Sequence, residues 1–291
     1  MRYYGTVIRP PSEAHSYILQ VTYGCSHNRC AFCGTYLDKP FQVRPGDEVL
    51  EDIALAQQQA PGLRRVFMAD GNALVLSARR LVPILDALTS AFPHLERVAS
   101  YANARNILDK SEADLELLCR KGLRLVYLGL ESGSDEVLRR IHKGATAAEM
   151  IQAVRKAKAA GMQVSVIGIL GIAGPELSSL HAEATGQVVS AMDPDYFSML
   201  TLMLVPGTEL YQQWQSGAFQ LMEPEAMLGE LRQVIGHLEG LSRCVFRTNH
   251  ASNYVPLAGT FPQDKERLLA TLDAALARGR SALRPEFWRA L

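Results

Sequence analysis

Three of the five cysteines lie within nine residues, at Cys25, Cys30 and Cys33, with the spacing C-x4-C-x2-C. Thiolates in so short a loop can converge on one metal centre, and they suit iron–sulfur clusters, zinc and copper(I). A 4Fe–4S cubane has four irons that each need an external ligand, so three cysteines leave one iron open to bind and activate a substrate. We therefore predict that these three cysteines hold a 4Fe–4S cluster.

A zinc site is the alternative interpretation of the cysteine loop. A closed zinc site needs a fourth ligand, and His27 lies between two of the cysteines, where simultaneous coordination is geometrically awkward. Cys119 falls on the apolar face of a predicted helix and Cys244 is remote in sequence, so both are predicted to be buried thiols. A zinc-binding or cluster-binding protein without further chemistry stays open at this point.

The composition argues against several kinds of partner. The chain of 291 residues has 30 basic and 30 acidic side chains, and this zero formal charge gives no support for nucleic acid or an anionic membrane as the main partner. The longest apolar run is shorter than the roughly 20 residues of a membrane span, and the first residues lack the apolar core of a signal peptide. A cytoplasmic protein is expected, in which clustered cysteines indicate metal or redox chemistry rather than disulfides.

Strands and helices in alternation must position the cysteines. Six strand candidates alternate with helical patterns between about residues 15 and 205; the first strand is predicted at Tyr17–Thr22, and Asp47 is predicted to cap the first helix. Such alternation predicts an α/β fold with a parallel sheet, either open and doubly wound or an incomplete barrel. In both folds ligands lie at the carboxyl ends of the strands, which is where the cysteine loop follows the first strand.

The sequence pattern changes near residue 205. Residues 1–205 are predicted to form the core, with 1–16 as a lead-in, and residues 206–291 a mainly helical extension that caps the substrate side. Within the extension, the stretch CVFRTNHASNYVPLAG is dense in hydrogen-bonding groups. The substrate candidates there are Arg247, Asn249, His250, Ser252 and Asn253, and the catalytic candidates are His250 and Tyr254.

The cysteine loop, with Phe32 just before its last cysteine, resembles that of the radical S-adenosylmethionine (radical SAM) superfamily. The usual spacing there is C-x3-C-x2-C, and this chain has one more residue in the first gap. The resemblance implies a partial (βα)6 TIM-like barrel and a 4Fe–4S cluster whose open iron is chelated by the amino and carboxylate groups of SAM. It further implies reductive cleavage of SAM to methionine and a 5′-deoxyadenosyl radical, which abstracts hydrogen from a substrate.

The resemblance also implies which loops contact SAM. The turn of Asp70, Gly71 and Asn72 takes the place of the motif that receives the SAM amino group, since Asp70 can attract an ammonium and Gly71 permits close backbone approach. Glu131 and Ser132 take the place of the ribose-binding residues, because a carboxylate can accept hydrogen bonds from two hydroxyls.

Other candidate cofactor contacts follow later strands in the same order as in the superfamily. Lys143 and Arg105 are candidates for the SAM carboxylate, and a glycine-rich strand and the segment LMLVPGTELY are candidates for adenine. That segment resembles one shared with methylthiotransferases and oxygen-independent coproporphyrinogen oxidases. The remaining candidates in this set are Tyr101, Asn103, Gly168, Gly171, Leu204 and Val205.

The features missing from the sequence narrow the expected reaction. Only 16 residues precede the first strand, which argues against an N-terminal cobalamin-binding domain, and two cysteines outside the triad are too few for a second cluster. No basic RNA-binding module is visible. We therefore predict a single-cluster enzyme that acts on a small molecule and takes electrons from a donor such as flavodoxin or ferredoxin. A radical SAM enzyme that modifies a tetrapyrrole is the remaining alternative.

Overall fold

The computed structural model describes residues 2–290, and strands alternate with helices through most of this range. The strands are β1 (Tyr17–Gln20), β2 (Thr22–Tyr23), β3 (Gln42–Val43), β4 (Arg65–Ala69), β5 (Arg97–Ala102), β6 (Leu123–Glu131), β7 (Gln163–Leu170), β8 (Tyr196–Thr201), β9 (Cys244–Arg247) and β10 (Ala258–Phe261). The helices are α1 (Gly46–Gln59), α2 (Ala78–Ala91), α3 (Ala104–Leu108), α4 (Glu112–Arg120), α5 (Asp135–Arg140), α6 (Ala147–Ala159), α7 (Gly174–Met192), α8 (Glu209–Gln215), α9 (Pro224–Gly236) and α10 (Lys265–Arg278).

Eight of the strands form one mostly parallel sheet in the order β1-β4-β5-β6-β7-β8-β9-β10. The neighbouring strands β1, β4, β5 and β6 run parallel, as do β7, β8 and β9, and β10 runs antiparallel to β9. The six strands predicted from the sequence are β1, β4, β5, β6, β7 and β8. The predicted α/β fold with six β/α units is therefore confirmed.

Apolar residues decide which segments enter the sheet. Almost every residue of β6 is buried, as expected for a parallel strand covered on both faces. In α2 the buried residues recur at the helical spacing, with Leu81, Leu85 and Leu88 on one face. Of the helices described between residues 2 and 290, none has both the length and the apolar character needed to cross a membrane.

The chain divides into two compact units. The first comprises the chain up to Asn28, Thr35–Leu128 and Gln152–Val164, and the second comprises Arg29–Gly34, Gly129–Ile151 and the chain from Ser165 onward. Residues 165–205 thus share a unit with the predicted extension. The role of residues 206–291 as a substrate-side cap stays a prediction.

Two details of the predicted elements were wrong. Helix α1 begins at Gly46 with Pro45 as its N-cap, so Asp47 lies in the first turn, where its charge is favourable to the helix dipole. The first strand ends at Gln20 rather than Thr22, and Thr22 pairs instead with Val43 in a short antiparallel ladder. Ser111 does cap α4, since its hydroxyl accepts a hydrogen bond from the Asp114 amide at 3.1 Å.

The predicted polar loop in the extension also contains two strands. Cys244 and Phe246 of β9 are buried while their neighbours are less so, the alternation of a half-buried strand. Strand β9 pairs with β8 and so adds to the sheet, which the prediction of a mainly helical extension did not foresee. The three helices predicted there are present as α8, α9 and α10.

Candidate functional site

Gly71 packs directly against the first cysteine of the loop, within the first unit. Its amide donates a hydrogen bond to the Gly24 carbonyl at 3.0 Å. A Cβ atom at Gly71 would lie 2.4 Å from Cys25 Cα and 2.5 Å from Cys25 Cβ, closer than any side chain tolerates. A glycine is required here because the backbone of the turn after β4 touches the backbone of Cys25.

Asp70 is completely buried, and its carboxylate binds groups of the first unit itself. Its Oδ2 accepts hydrogen bonds from the Gly24 amide at 3.1 Å, from Gln20 Nε2 at 3.0 Å and from Lys39 Nζ at 3.0 Å. Lys39 is 2% exposed and also donates to the Thr6 carbonyl at 2.8 Å. Burial raises the pKa of Asp70, and the Lys39 ammonium opposes that rise. In this structure the ammonium that pairs with Asp70 is that of Lys39. A direct contact between Asp70 and the SAM amino group stays a prediction.

Asn72 holds the next residue of the cysteine loop. Its side-chain oxygen accepts a hydrogen bond from the Ser26 amide at 3.2 Å, and its Nδ2 donates to Ser26 Oγ at 2.8 Å and to Asn106 Oδ1. Asp70, Gly71 and Asn72 therefore fix the backbone on both sides of Cys25. We call these three residues the clamp turn.

The residues after β5 have partners within the first unit. The Tyr101 ring packs edge-on against Phe67, with centroids 5.0 Å apart, and burial raises its pKa. Asn103 caps α3 by accepting a hydrogen bond from the Asn106 amide at 2.9 Å, and Arg105 is exposed on the same helix. These structural roles account for Tyr101 and Asn103, and cofactor contacts at all three predicted positions stay predictions.

In the second unit, the rest of the cysteine loop is held by backbone hydrogen bonds. The Ala31 amide donates to the Ile141 carbonyl at 2.9 Å, and the Leu210 amide donates to the Ala31 carbonyl at 2.8 Å. Phe32 packs against an apolar cluster that includes Ile141 and Leu210. Cys30 and Cys33 therefore flank a segment that is anchored on both sides.

Leu204 and Val205 support this segment. Leu204 packs on the same apolar cluster as Phe32. Val205 Cγ1 would lie only 2.4 Å from a Cβ atom built on Gly34, the residue after Cys33. Packing accounts for both side chains, and the adenine contacts predicted for them stay predictions.

Glu131 and Lys143 form an ion pair at the end of β6. Lys143 Nζ lies 2.7 Å from Glu131 Oε1, and the two side chains are 13% and 10% exposed. The pair lies over Gly129, where a Cβ atom would lie 2.2 Å from Glu131 Oε1. The predictions had placed these residues on the ribose and on the SAM carboxylate, whereas in this structure each has the other as a partner.

Ser132, the other predicted ribose ligand, has internal partners in this structure. Its side chain is completely buried, its Oγ accepts a hydrogen bond from the Ser134 amide at 3.1 Å, and it lies 2.8 Å from His181 Nδ1. These partners account for the hydroxyl, and a contact with ribose stays a prediction. Ser134 caps α5, with its Oγ 3.5 Å from the Val137 amide.

A buried acid and imidazole, which the sequence analysis did not single out, lie in the same unit. Glu230 of α9 accepts hydrogen bonds from the Gly171 amide at 2.6 Å and from Ser178 Oγ at 2.5 Å. His181 Nε2 lies 3.7 Å from Glu230 Oε1. Burial raises the pKa of Glu230 to about 7 and lowers the pKa of His181 to about 4. In the folded chain His181 is therefore uncharged near neutral pH, and Glu230 keeps its proton in mildly acidic solution.

This pair predicts a distinctive dependence of stability on pH. For Glu230 the free energy of unfolding falls as the pH rises from 4.5, its ordinary pKa, to about 7, because only the folded state then keeps the proton. For His181 it rises as the pH rises from about 4 to 6.5, because only the unfolded state then keeps the proton. Between these limits the folded pair holds one proton on Glu230 and the unfolded pair holds one on His181, so the two effects nearly cancel. In the variant Glu230→Gln only the histidine effect is left.

The free energy of unfolding of Glu230→Gln, relative to the wild type, should therefore rise by up to about 3 kcal/mol between pH 4.5 and 6.5. Urea unfolding at several pH values measures this difference. Glu183→Gln, on the exposed side of the same helix as His181, serves as the matched control and should show no such rise. A difference between Glu230→Gln and wild type that stays constant with pH would contradict the assignment.

The glycine-rich strand approaches protein atoms rather than open space. A Cβ atom at Gly168 would lie 2.6 Å from Met199 Sδ, and one at Gly171 would lie 3.1 Å from Met227 Cε. Gly171 has a φ of +78°, which favours glycine whatever lies nearby. Methionine side chains account for the close contacts at both glycines, and adenine contacts stay predictions.

Two of the substrate candidates have internal structural roles. Ser252 Oγ accepts a hydrogen bond from the Thr201 amide at 3.3 Å, and Asn253 bonds Thr201 Oγ1 at 2.8 Å and the Met199 carbonyl at 2.9 Å. Ser252 is 0% and Asn253 2% exposed. Both side chains fasten the loop to the end of β8, and substrate contacts at these two positions stay predictions.

The other candidates in that stretch differ in exposure. The Tyr254 hydroxyl donates to Glu286 at 2.8 Å, and the Arg289 guanidinium lies over its ring at 4.2 Å, so Tyr254 anchors the C-terminal segment. His250 is half-buried; its Nδ1 accepts a hydrogen bond from the Ser252 amide at 3.1 Å, and burial lowers its pKa. Arg247 and Asn249 are exposed. Substrate roles for His250, Arg247 and Asn249 stay predictions.

The chemistry of the donor set fits an iron–sulfur cluster. Cys25, Cys30 and Cys33 are half-buried, whereas Cys119 and Cys244 are buried, as predicted. Cys25 belongs to the first unit and the other two to the second. Among residues 2–290, no group of three or more Cys, His, Asp or Glu side chains is placed so that it could hold a metal ion. Ligation by the triad is thus a prediction that rests on the thiol chemistry and on the clamp turn at Cys25.

Comparison with known proteins gives a family match. Residues 19–182 match the family model described as the Radical SAM superfamily. The chain is similar to the heme chaperone HemW of Bacillus subtilis (strain 168), with 23% identity over 219 residues, which are 72% of this chain and 56% of that protein. The chain spans about half the length of the curated relatives it matches.

Two solved structures share the fold. Coproporphyrinogen III oxidase (HemN) from Escherichia coli, described as a radical SAM enzyme, superposes with a TM-score of 0.59 at 16% identity, covering 78% of this chain and 53% of that one. Methylornithine synthase (PylB) superposes with a TM-score of 0.52 at 17% identity, covering 92% of this chain and 85% of that one. At these identities the likeness supports the fold alone.

Proposed function

Because the chain belongs to the radical SAM superfamily, we propose that it cleaves SAM reductively and uses the resulting radical to abstract hydrogen from a small-molecule substrate. Proteins of this superfamily are enzymes that bind a 4Fe–4S cluster and SAM. The observation that carries the proposal is the clamp turn, whose three residues fix the backbone on both sides of Cys25.

Cys25, Cys30 and Cys33 would hold the cluster through three irons. A bound cluster would supply one electron and an open iron site for the reductive cleavage of SAM to methionine and a 5′-deoxyadenosyl radical. The chain's own contribution is to present the thiolates and to keep their loop in place. Asp70 serves this purpose through the Gly24 amide, and Asn72 through the Ser26 amide.

The ends of β6 and β7 in the second unit are the proposed positions for the nucleoside half of SAM. Glu131 has one carboxylate oxygen on Lys143, and a carboxylate can accept hydrogen bonds from ribose hydroxyls through its other lone pairs. The Lys143 ammonium balances the charge of that carboxylate. Gly171, with its positive φ, sets the direction of the chain as it leaves β7. In this proposal Ser132 acts behind Glu131 and not on the ligand.

A small molecule is the proposed substrate, with His250, Arg247 and Asn249 as the residues that contact it. The zero formal charge of the chain supports a small molecule over a nucleic acid. A flavodoxin or ferredoxin is the proposed electron donor. A tetrapyrrole is the second candidate substrate, because the names of the similar proteins HemW and HemN refer to heme and coproporphyrinogen.

Anaerobic reconstitution with iron and sulfide, followed by dithionite and SAM, tests the proposal. We expect about four irons and four sulfides per chain and formation of 5′-deoxyadenosine and methionine in equal amounts. A fully loaded cluster that yields no 5′-deoxyadenosine would refute SAM cleavage. One zinc per chain with no iron or sulfide in anaerobically purified protein would instead support a zinc-binding protein. Titration with coproporphyrinogen and with heme in the same samples separates the tetrapyrrole candidate from other small molecules.

A further inference from the structure

A buried polar chain in the second unit joins the loop after β6 to the loop after β7. It runs from Ser132 to His181 Nδ1 at 2.8 Å, from His181 Nε2 to Glu230 at 3.7 Å, and from Glu230 to the Gly171 amide at 2.6 Å. All four residues lie in one unit, and the three side chains are at most 1% exposed. Each of two loops that are separate in sequence is thus held by one of these side chains, and the two side chains lie 3.7 Å apart between α7 and α9.

The side chains have the residue types of a Ser-His-Glu nucleophilic triad, but they cannot act as one. A nucleophilic serine must reach its substrate, and Ser132 is 0% exposed. Its hydroxyl oxygen already accepts a hydrogen bond from the Ser134 amide. Hydrolytic chemistry at Ser132 is excluded by this burial, which leaves a role inside the protein for the three side chains.

The surrounding hydroxyls favour one tautomer of neutral His181. Ser132 Oγ and Thr185 Oγ1 both face Nδ1, at 2.8 and 3.4 Å. Each of these oxygens accepts a backbone amide, from Ser134 and Gly133 respectively, so each hydroxyl has its proton available for Nδ1. Nδ1 is then the acceptor and Nε2 carries the hydrogen.

With this tautomer, the Nε2–H group of His181 is a buried hydrogen-bond donor. Nε2 is buried and has no hydrogen-bond partner anywhere in residues 2–290, and the Glu230 carboxyl at 3.7 Å is an acceptor just beyond hydrogen-bond distance. A buried N–H without a partner costs about 1–3 kcal/mol. A shift of less than an ångström would make the bond, so the pair has a favourable contact to gain from a small movement of either helix.

We propose that His181 and Glu230 are positioning residues for SAM: together they hold the loops after β6 and β7 in the arrangement that binds the nucleoside. The inference rests on the proposed function, which places that half of SAM at these loops. Glu230 fixes the Gly171 amide, and His181 fixes Ser132, next to Glu131. Neither side chain touches SAM, and their effect is on its affinity rather than on bond cleavage.

Three variants separate positioning from simple loss of structure. Glu230→Leu removes the acceptor for the Gly171 amide. Glu230→Gln keeps a carbonyl oxygen there and is the conservative rescue. His181→Asn keeps an amide near the position of Nδ1 for the two hydroxyls and cuts only the connection to Glu230, so it tests the proposal even if Glu230→Leu does not fold. Glu183→Leu, exposed on α7, is the matched control.

Two measurements on the reconstituted chain test whether His181 and Glu230 position the two loops. In Glu230→Leu and His181→Asn, the KM for SAM in 5′-deoxyadenosine formation should rise at least about tenfold, while kcat at saturating SAM stays within about twofold. In the same chains without SAM, amide hydrogen exchange should quicken at least about tenfold in peptides that contain Gly133 and Gly171. Glu230→Gln and Glu183→Leu should stay within about twofold of the wild type in both measurements.

The outcomes distinguish this inference from the proposed function. If the wild type cleaves SAM but His181→Asn and Glu230→Leu match Glu183→Leu in KM and in exchange, positioning by the pair is overturned and SAM cleavage stands. If kcat falls with KM unchanged, the pair does not act through affinity and the inference is also overturned. A loaded wild-type chain that neither binds nor cleaves SAM defeats the proposed function and this inference together.

Discussion

Replacement of any one cysteine of the triad by alanine should slow 5′-deoxyadenosine formation at least about a thousandfold, or about 4 kcal/mol in the activation barrier. The reason is that each thiolate of Cys25, Cys30 and Cys33 is proposed to bind one iron, and alanine offers no ligand. The measurement is iron, sulfide and 5′-deoxyadenosine per chain after anaerobic reconstitution, with each variant prepared alongside the wild type.

Cys119→Ala is the matched control for the triad. Cys119 is a buried free thiol in α4, 4% exposed, with Arg124 as a neighbour at 3.7 Å from its sulfur. Its loss should cost about 1 kcal/mol of stability and leave cluster content and rate near those of the wild type. A triad variant that keeps both its iron and its rate would remove that cysteine from the proposed ligand set.

Lys39→Met should be among the most destabilising single substitutions in the first unit, at about 3–5 kcal/mol in the free energy of unfolding. The variant leaves the Asp70 carboxylate, which is 0% exposed, with the Gly24 amide and Gln20 but without its counter-charge. Since Asp70 also holds the backbone before Cys25, the remaining folded protein should take up less iron on reconstitution. Urea unfolding, followed by circular dichroism, measures the first effect, and iron analysis the second.

A second substitution and an exposed ion pair control this prediction. Lys39→Met combined with Asp70→Asn removes the uncompensated charge and should recover part of the lost stability. Lys121→Met breaks a pair with Asp86 whose atoms lie 2.7 Å apart, but these side chains are 38% and 47% exposed, so it should cost at most about 1 kcal/mol. If Lys39→Met costs no more than Lys121→Met, the buried pair does not stabilise the clamp turn.

Much of the fold could be predicted from the sequence because its causes are local. The buried run of β6 and the helical spacing of Leu81, Leu85 and Leu88 are patterns between near neighbours in the chain. The same is true of Ser111 and Ser134, which cap helices through amides three residues away. The cysteine spacing indicated the chemistry for the same reason, since three thiols in one short loop stay close together in any fold.

The partners of the site residues could not be predicted, because they are distant in sequence and of types that are usually exposed. Lys39 and Asp70 are 31 residues apart, Ser132 and His181 are 49 apart, and Gly171 and Glu230 are 59 apart. Lysine, glutamate and histidine give no local signal of burial, since most of them lie at protein surfaces. The inward-facing Glu230, between the buried residues Met227 and Leu231 of α9, was the one available hint.

The sequence by itself determined the α/β fold, the superfamily and the thiols available to a cluster, because each depends on residue type and short spacing. Only the tertiary structure decided that Asp70 binds Lys39, that Ser132 is buried against His181, and that Ser252 and Asn253 fasten a loop to β8. The physical reason is that a polar side chain acts according to its neighbours. Those neighbours are brought together by the packing of the sheet and helices, which no local pattern records.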